Sequence, residues 1–438
     1  MPKPSTKSKM STPSTTLDLP FPAPATPRHI PLTKLHTDLA AFHEFGTPTR
    51  EIVTTFTHAE TPRHVPTYVN EFWTAKQRAA NSLHEISYRA CFKPQLPRFF
   101  IERLTQPGDI VYDPFMGRGT TPVEAALLGR VAYGSDINPL SAILTAPRLQ
   151  PPTADQVAAR LTQVDFYHSD PAPDELLTFY HSETLREIAA LKKYFLDRRH
   201  NQSLDHIDHW ICMVALNRLT GHSPGFFSVY TLPPNQAVSV KSQIKINTKR
   251  NQTPPRRSVP KLIHKKTRQL LGDCTHATRE TLARVAPKSL FLNHLAAHTP
   301  EIKSNTVTLI VTSPPFLDVV DYAGDNWLRC WFLGLDPKTV TMPLTKKLDQ
   351  WQTAMAEAFR ELHRILRSGG HIAFEVGEIR GGKIKLEDYV LPAGTQAGLQ
   401  PELILINDQT FTKTANCWGI DNNYKGTNTN RIVLFKKN

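Results

Sequence analysis

Apolar and polar positions change their spacing along this 438-residue chain, and each change marks an element. "PRFFIERL" (97–104) repeats its apolar residues at helical intervals, and "DIVY" (109–112) is a short apolar run of the kind that forms a buried strand. A glycine-containing turn, a helix over 121–129 and a second strand over 131–135 follow, which predicts a β-α-β unit with a parallel sheet and a right-handed crossover. Residues 150–240 read as mostly helical: "DELLTFYHSETLREIAALKKYFLDRR" and "LDHIDHWICMVALNRLTG" both keep helical spacing. Strand patterning then resumes in "TRQLLGDC" and "VTLIVT". "WQTAMAEAFRELHRILRSGG" predicts a helix with Trp351, Met355, Phe359, Leu362 and Leu366 on one face, stopping at Gly369-Gly370. "HIAFEVG", "PELILIND" and "NRIVLFKK" predict three more strands. The expected fold class is therefore α/β: one sheet interrupted by a helical, basic insertion, without internal repeats.

Composition refines the boundaries. Residues 1–30 hold seven prolines, nine serines or threonines, four basic residues and one acid, Asp18. Such a segment buries too little apolar surface to offset ordering, so a flexible basic tail is expected, with globular patterning from about 65. The expected organisation is a tail over 1–65, a first part of the sheet domain over 66–150, the insertion over 151–267, and the second part over 268–438. The net charge of +13 and pI of about 9.5 favour a polyanionic partner. Ten of the cations lie between 241 and 270, where there is no acid at all. Five cysteines, at 91, 212, 274, 330 and 417, form no CxxC pair, which disfavours a zinc ribbon or a disulfide scaffold and fits a reducing cytoplasm. No signal peptide or membrane-spanning run is read.

Two loops carry candidate chemistry. In "DPFMGRGTT" (113–121), between a strand and a helix, Gly117 and Gly119 permit tight backbone geometry, and the helix start offers N–H groups to an anion. Asp136 ends the next strand, where a carboxylate accepts from ribose hydroxyls. The GxGxxG spacing of a dinucleotide fold fails because Pro122 stands at the third glycine position, and no Gly-Lys-Ser/Thr marks a P-loop. The second loop is "VTLIVTSPPF". Pro-Pro also occurs at 151, 233 and 254, but only Pro314-Pro315 directly follows a buried strand and precedes an aromatic. The prolines stiffen the exit of that strand and fix Ser313 and Phe316 around something.

"DPFMGRGTT" with "SPPF" resembles the paired signature motifs of the DNA amino-methyltransferases, which transfer a methyl group from S-adenosylmethionine to cytosine N4 or adenine N6. "SLHEISYRACFKPQLPRFFI" resembles the motif preceding the glycine loop in that group, "LLGDC" its third cofactor motif, and serine heading "SPPFLDVVDY" is similar to the N4-cytosine subgroup. The resemblance spans about 70–150 and 268–438. It implies a class I S-adenosylmethionine-dependent methyltransferase (Rossmann-like) sheet. It also implies that Asp113, Phe115, Gly117, Gly119, Thr120 and Thr121 surround the methionine part of the cofactor. Asp136 would hold the ribose, Asp273 the adenine amino group, and Lys93 and Pro94 would close the pocket. Ser313, Pro314, Pro315 and Phe316 would be catalytic: the Ser313 hydroxyl and the Pro314 carbonyl hold the hydrogens of the target amine, the proline pair fixes them, and Phe316 stacks on a flipped base.

Many N4-cytosine enzymes place the Ser-Pro-Pro motif before the glycine loop, whereas here it follows, with more than 100 residues between Asp136 and Asp273. That insertion is the expected target-recognition region, with Lys249, Arg250, Arg256, Arg257, Lys261, Lys265, Lys266 and Arg268 expected to contact double-stranded DNA. A cognate restriction endonuclease is a further expected partner. Adenine-N6 methylation, an RNA base substrate and a catalytically silent nucleic-acid-binding homologue remain as alternatives. His206 and His209 lack a third ligand, so no metal is expected. Phe226, Phe227 and Tyr230 read as core, Trp327 and Trp331 as packing a helix on the sheet, and Cys330 as a buried small hydrophobe.

Overall fold

The computed structural model describes residues 32–73, 80–88, 91–232, 237–315, 322–339, 347–379, 384–408 and 429–438. Helix α1 (Leu32–Ala40) precedes a hairpin of β1 (Arg50–His58) and β2 (Thr61–Asn70), followed by α2 (Gln95–Leu104). The β-α-β unit is β3 (Ile110–Asp113), α3 (Thr120–Leu127) and β4 (Val131–Ser135), followed by α4 (Leu140–Thr145). Six helices come next: α5 (Ala154–Leu161), α6 (Ser182–His200), α7 (His206–Leu216), α8 (Val240–Arg250), α9 (Val259–Leu270) and α10 (His276–Val285). The chain then forms β5 (Leu290–Leu292), β6 (Val307–Thr312), α11 (Tyr322–Leu333), α12 (Leu348–Ile365) and β7 (Leu366–Val376). A small hairpin of β8 (Glu378–Ile379) and β9 (Ile384–Lys385), then α13 (Glu387–Gln396), β10 (Gln400–Asp408) and β11 (Thr429–Lys436), complete it.

Among the described residues, nine strands form one sheet in the order β1-β2-β10-β11-β7-β6-β3-β4-β5. Strands β7, β6, β3, β4 and β5 are mutually parallel, while β11 runs antiparallel between β7 and β10. The chain builds outward from β3 through β4 to β5, then returns to the other flank of β3 with β6 and β7. That reversal puts the topological switch point of a Rossmann-like α/β sheet at the carboxyl ends of β3 and β6, the position where such sheets bind ligands.

Adjacent residues of each strand feed opposite faces of the sheet. Val111, Leu309, Val311 and Leu434 join the cluster under α2–α7, α9 and α10, whereas Tyr112, Ile310 and Phe435 join the one under α12 and α13. All six residues of β6 are buried, as its unbroken apolar sequence requires. On α12, Trp351, Met355, Phe359, Leu362 and Ile365 form the buried stripe. Each is worth about 1.5–3 kcal/mol of transfer free energy. The helix ends at Ile365, and Leu366 already belongs to β7.

Four expectations change. The tail does not reach 65, because β1 and β2 are ordered strands whose Thr and Pro content hid them. Pro62 and Pro66 sit where β2 pairs only with β1, since β10 engages β2 only over Thr67–Asn70, so no ladder bond is lost to β10. "TRQLLGDC" is not a strand: Val259, Ile263, Thr267 and Leu270 are buried at helical spacing on α9. The strand beside β4 is the three-residue β5. The 151–267 insertion has no core of its own, because Trp210, Ile211, Met213, Val259 and Ile263 share one apolar cluster with Val123, Leu140 and Leu144. Trp327 and Trp331 face that helical region and not the sheet: Trp327 packs on Phe179 at 5.9 Å, and the Lys192 ammonium lies 4.6 Å from the Trp331 ring. None of the described helices is long and apolar enough to cross a membrane.

Candidate active site

The glycine loop leaves β3 at Asp113, which is 1% exposed. Its carboxylate accepts from the Thr312 hydroxyl at 2.6 Å and from the Phe115 N–H at 3.0 Å, while burial pushes it up to about 7. Gly117 and Gly119 have φ of 50° and 77°, in the left-handed region that glycine tolerates. A side chain at Gly119 would place its Cβ 2.2 Å from Thr145 Oγ1, so the close approach also demands glycine. Gly119 caps α3 without a side-chain hydrogen bond, leaving the helix start to present its N–H groups.

At the end of the neighbouring strand, Asp136 accepts from the Gly117 and Asn138 N–H groups, each at 2.8 Å. Burial raises its carboxyl above the ordinary range against those two bonds. Each carboxylate oxygen keeps a second lone pair for a ligand hydroxyl. The Tyr88 ring lies against Gly117, 3.5 Å from where a Cβ would stand, and its hydroxyl accepts from Asn138 Nδ2 at 2.7 Å. Thr121 donates to the Val311 carbonyl at 3.0 Å, tying the loop to β6, and Thr120 accepts from Arg118 Nε at 3.2 Å. Lys93 is half-buried just before α2, and the buried Pro94 is that helix's N-cap. Phe115 packs partly buried on the α12 side of the sheet.

Across the switch point, β6 ends at Thr312 and delivers Ser313, Pro314 and Pro315. Trp351 Nε1 donates to the Pro315 carbonyl at 3.0 Å, anchoring the stiff exit to α12. Phe316 lies outside the described residues. The Ser313 hydroxyl hydrogen-bonds the carboxyl of Glu375, near the end of β7, which also receives the Asn430 amide. Glu375 is 6% exposed, and burial lifts its carboxyl to about 7 despite those two bonds. Consecutive residues are therefore tied to two buried carboxyls on opposite sides: Thr312 to Asp113 toward the glycine loop, Ser313 to Glu375 away from it.

The sequence reading placed several residues elsewhere. Asp273 is not at a strand end. It follows α9, where its carboxylate accepts from the Ser82 N–H at 2.8 Å and its own N–H donates to Ser82 Oγ at 3.0 Å, closing a structural turn. Asn293, just past β5, occupies the sheet end beside β4 and donates to the Asp136 and Ile137 carbonyls, both at 2.8 Å. Among the basic residues, Lys266 is buried beside Glu85, and Arg257 donates to the Ser223, Phe226 and Ser228 carbonyls. Arg256 pairs with Glu183 and Glu187, and Arg250 lies over the Tyr230 ring at 3.8 Å. Lys249, Lys261, Lys265 and Arg268 are exposed. Glu375 and Tyr88 were missed, although an acid inside the apolar strand "HIAFEVG" is itself a signal of a functional carboxyl.

Residues 50–142 match the family described as DNA methylase, covering adenine-N6 and cytosine-N4 enzymes. The similarity to that family is carried by this segment, about a fifth of the chain. It is 41% identical over 63 residues to the type II methyltransferase M.MjaII of Methanocaldococcus jannaschii, a match spanning 14% of this chain and 12% of that protein. It is 24% identical over 255 residues to the type II methyltransferase M.MvaI of Kocuria varians, covering 53% of this chain and 52% of the relative. With M.BsoBI of Geobacillus stearothermophilus it shares 22% over 281 residues, covering 59% and 54%. The matches thus span about half the length of these relatives or less.

Proposed function

We propose that the protein is a DNA methyltransferase that transfers a methyl group from S-adenosylmethionine to the N4 amine of cytosine in a specific double-stranded sequence. The observation that carries this is the seating of Ser313 one residue from Thr312, which holds Asp113 of the glycine loop. The amine grip and the nucleoside-binding loop are thereby fixed on one strand end, at the switch point. The residues around the loop fit the cofactor: Asp136 for ribose hydroxyls, the Tyr88 ring, an uncapped α3 N-terminus, and two glycines whose backbone a ligand can approach. When bound, S-adenosylmethionine supplies an electrophilic methyl group on a sulfonium.

An exocyclic amine is a weak nucleophile because its lone pair is delocalised into the base. Acceptors that hold its hydrogens turn that lone pair outward and aim it. The ionised Glu375 carboxylate can only accept, so Ser313 must donate its proton to it, and the Ser313 oxygen lone pairs then face the target amine as acceptors. The Pro314 carbonyl is the second acceptor. Trp351 holds the Pro315 carbonyl, so the loop does not have to be ordered at the moment of reaction. Duplex substrate has to release its base into this pocket, a cost of about a few kcal/mol for unstacking.

For the DNA, the exposed cations of α8 and α9 are the reading's phosphate contacts, and Lys266, Arg257 and Arg256 are assigned to holding the insertion together. A cognate endonuclease and a cytoplasmic location accompany the restriction-modification reading, which draws support from the type II methyltransferase relatives. The adenine-N6 alternative keeps every residue role above. The test is incorporation of tritiated methyl from labelled S-adenosylmethionine into duplex DNA, with RNA of matched length in parallel. Counts in DNA, abolished by Ser313→Ala while the variant still binds cofactor, support the reading. Counts in RNA alone overturn it.

A further inference from the structure

Helix α8 turns its amides inward and an isoleucine outward. Gln243 is fully buried and donates to the Tyr230 carbonyl at 3.0 Å, and Asn247, one turn on, donates to the Thr178 carbonyl at 2.8 Å. Gln252, just past the helix, reinforces this seam by donating to the Tyr230 carbonyl at 2.9 Å and to Asn247 Oδ1 at 2.8 Å. Ile244 lies outside the seam and is 51% exposed. A surface helix normally does the reverse, burying its apolar residues and showing its polar ones. The other exposed residues around Ile244 are Lys241, Ser242, Lys245, Thr248 and Lys249, and the helix carries no acid. Thr248, one turn on from Ile244, commits its hydroxyl to the Ile244 carbonyl at 3.0 Å. One exposed apolar side chain is ordinary on a protein surface. What distinguishes Ile244 is its setting among ammonium groups, on a helix seated by hydrogen bonds to neutral carbonyls.

The lead into α8 is fastened to α11. The Ala237 N–H donates to the Asp325 carbonyl and Trp327 Nε1 to the Val238 carbonyl, both at 3.2 Å. Helix α11 starts at Tyr322, and the stretch of chain from Ser313 to there extends to at most about 30 Å. Glu175 and Asp325 line a cavity with Ser239 and Ser242 at the amino end of α8. Carboxylates there leave phosphate contacts to the later turns, where Lys245 and Lys249 stand. The occupant that complements this face is a DNA major groove. It is about 12 Å wide and admits a helix about 10–12 Å across, its rims are phosphates, and its floor presents the thymine methyl as an apolar group among the base edges. The length of α8, about 16 Å, matches roughly five base pairs.

We propose that α8 is a recognition helix lying in the major groove near the target base, with Ile244 reading the methyl group of a thymine and Lys245 and Lys249 holding the flanking phosphates. This rests on the DNA reading given above and adds to it a group that selects sequence. Ser313 and Pro314 grip the target amine, and Ile244 restricts where along the duplex that amine is offered.

The test selects bound duplexes from a random-sequence library with the full chain, for the wild type, Ile244→Ala and Ile244→Val. Fluorescence anisotropy then measures affinity for the selected duplex with each thymine in turn replaced by deoxyuridine, which lacks only the methyl group. One methyl contact corresponds to about a three- to fivefold preference. The wild type should show it at a thymine within about five base pairs of the methylated base. Ile244→Ala should lose it, and its selected consensus should relax at that position alone, while Ile244→Val should keep it. Lys249→Ala should weaken every duplex alike and leave the consensus as it is. Thermal melting of each variant checks the fold. A consensus unchanged by Ile244→Ala, or no thymine whose methyl matters to the wild type, overturns the proposal. So does an equal loss by Ile244→Ala on double-stranded RNA, whose deep, narrow major groove side chains cannot read. A wild type that methylates DNA without sequence preference overturns it and leaves methyl transfer standing, whereas one that neither binds nor methylates duplex DNA removes the DNA reading itself.

Discussion

Replacing Glu375 with glutamine should stabilise the protein at alkaline pH while disabling it. The carboxyl is 6% exposed, and burial lifts it from 4.5 to about 7. An acid whose folded value is raised holds its proton longer in the native state than in the unfolded chain. Wild-type stability therefore falls as pH rises from about 4.5 through about 7, and stays reduced above that. The gap corresponds to about 3 kcal/mol at roughly 1.4 kcal/mol per tenfold. Glutamine has nearly the same shape and no charge to bury, so Glu375→Gln should be more stable than the wild type by up to that amount at alkaline pH, and close to it at acid pH. Urea denaturation followed by tryptophan fluorescence at the two pH values measures the difference. The cost lies in function. The glutamine oxygen can accept from Asn430, but its amide must then donate to Ser313, which turns the serine hydroxyl proton toward the target amine. Methyl transfer should fall at least tenfold with cofactor affinity unchanged, and the wild-type rise in activity with pH toward about 7 should disappear from the variant. A stability difference equal at both pH values, or a variant less stable at alkaline pH, refutes the assignment of Glu375 as a buried, strained carboxyl.

Other outcomes follow from particular contacts. Neutralising Lys241, Lys245 and Lys249, which project from α8 one turn apart, should weaken DNA binding and reduce the salt slope of log affinity by roughly two to three, as measured by fluorescence anisotropy. Lys266→Met should leave that slope alone. Asp273→Ala removes the turn with Ser82 and should cost about 1 kcal/mol of stability without touching cofactor affinity; a loss of affinity by calorimetry would restore Asp273 to the pocket. Gly119→Ala meets Thr145 at 2.2 Å with φ at 77°, so it should lower the melting temperature and abolish cofactor binding together. Trp351→Phe keeps the ring's packing but frees the Pro315 carbonyl. It should lower kcat with little change in the cofactor dissociation constant.

Where one physical signal dominated, the sequence was readable. The β3-α3-β4 unit, β6, β7, β10, β11 and α12 follow from runs whose apolar period is unambiguous, and the glycine loop and Ser-Pro-Pro exit stand at strand ends because local geometry demands glycine and proline there. What was not readable depended on partners remote in sequence. "TRQLLGDC" carries a short apolar pair compatible with either period, and only the α9 stripe ending at Leu270 decides for helix. The real neighbour of β4 is three residues long, too short to declare itself. The β1-β2 hairpin was masked by prolines that are harmless because β10 stops short of them. Charge identity alone could not separate the exposed Lys265 from its neighbour Lys266, which turns inward to Glu85. Glu375 acquires its meaning only when β6 and β7 lie side by side, 62 residues apart at Ser313.

The most direct measurement is the identity of the methylated base. Purified protein is incubated with S-adenosylmethionine and unmethylated genomic DNA, the DNA is digested to nucleosides, and the products are resolved by mass spectrometry. N4-methyldeoxycytidine, absent with Ser313→Ala, is the predicted result. N6-methyldeoxyadenosine in its place would keep the grip on the amine and contradict the choice of cytosine. No methylated nucleoside from a protein that binds the cofactor would contradict the central claim that Ser313 holds a DNA base for methyl transfer.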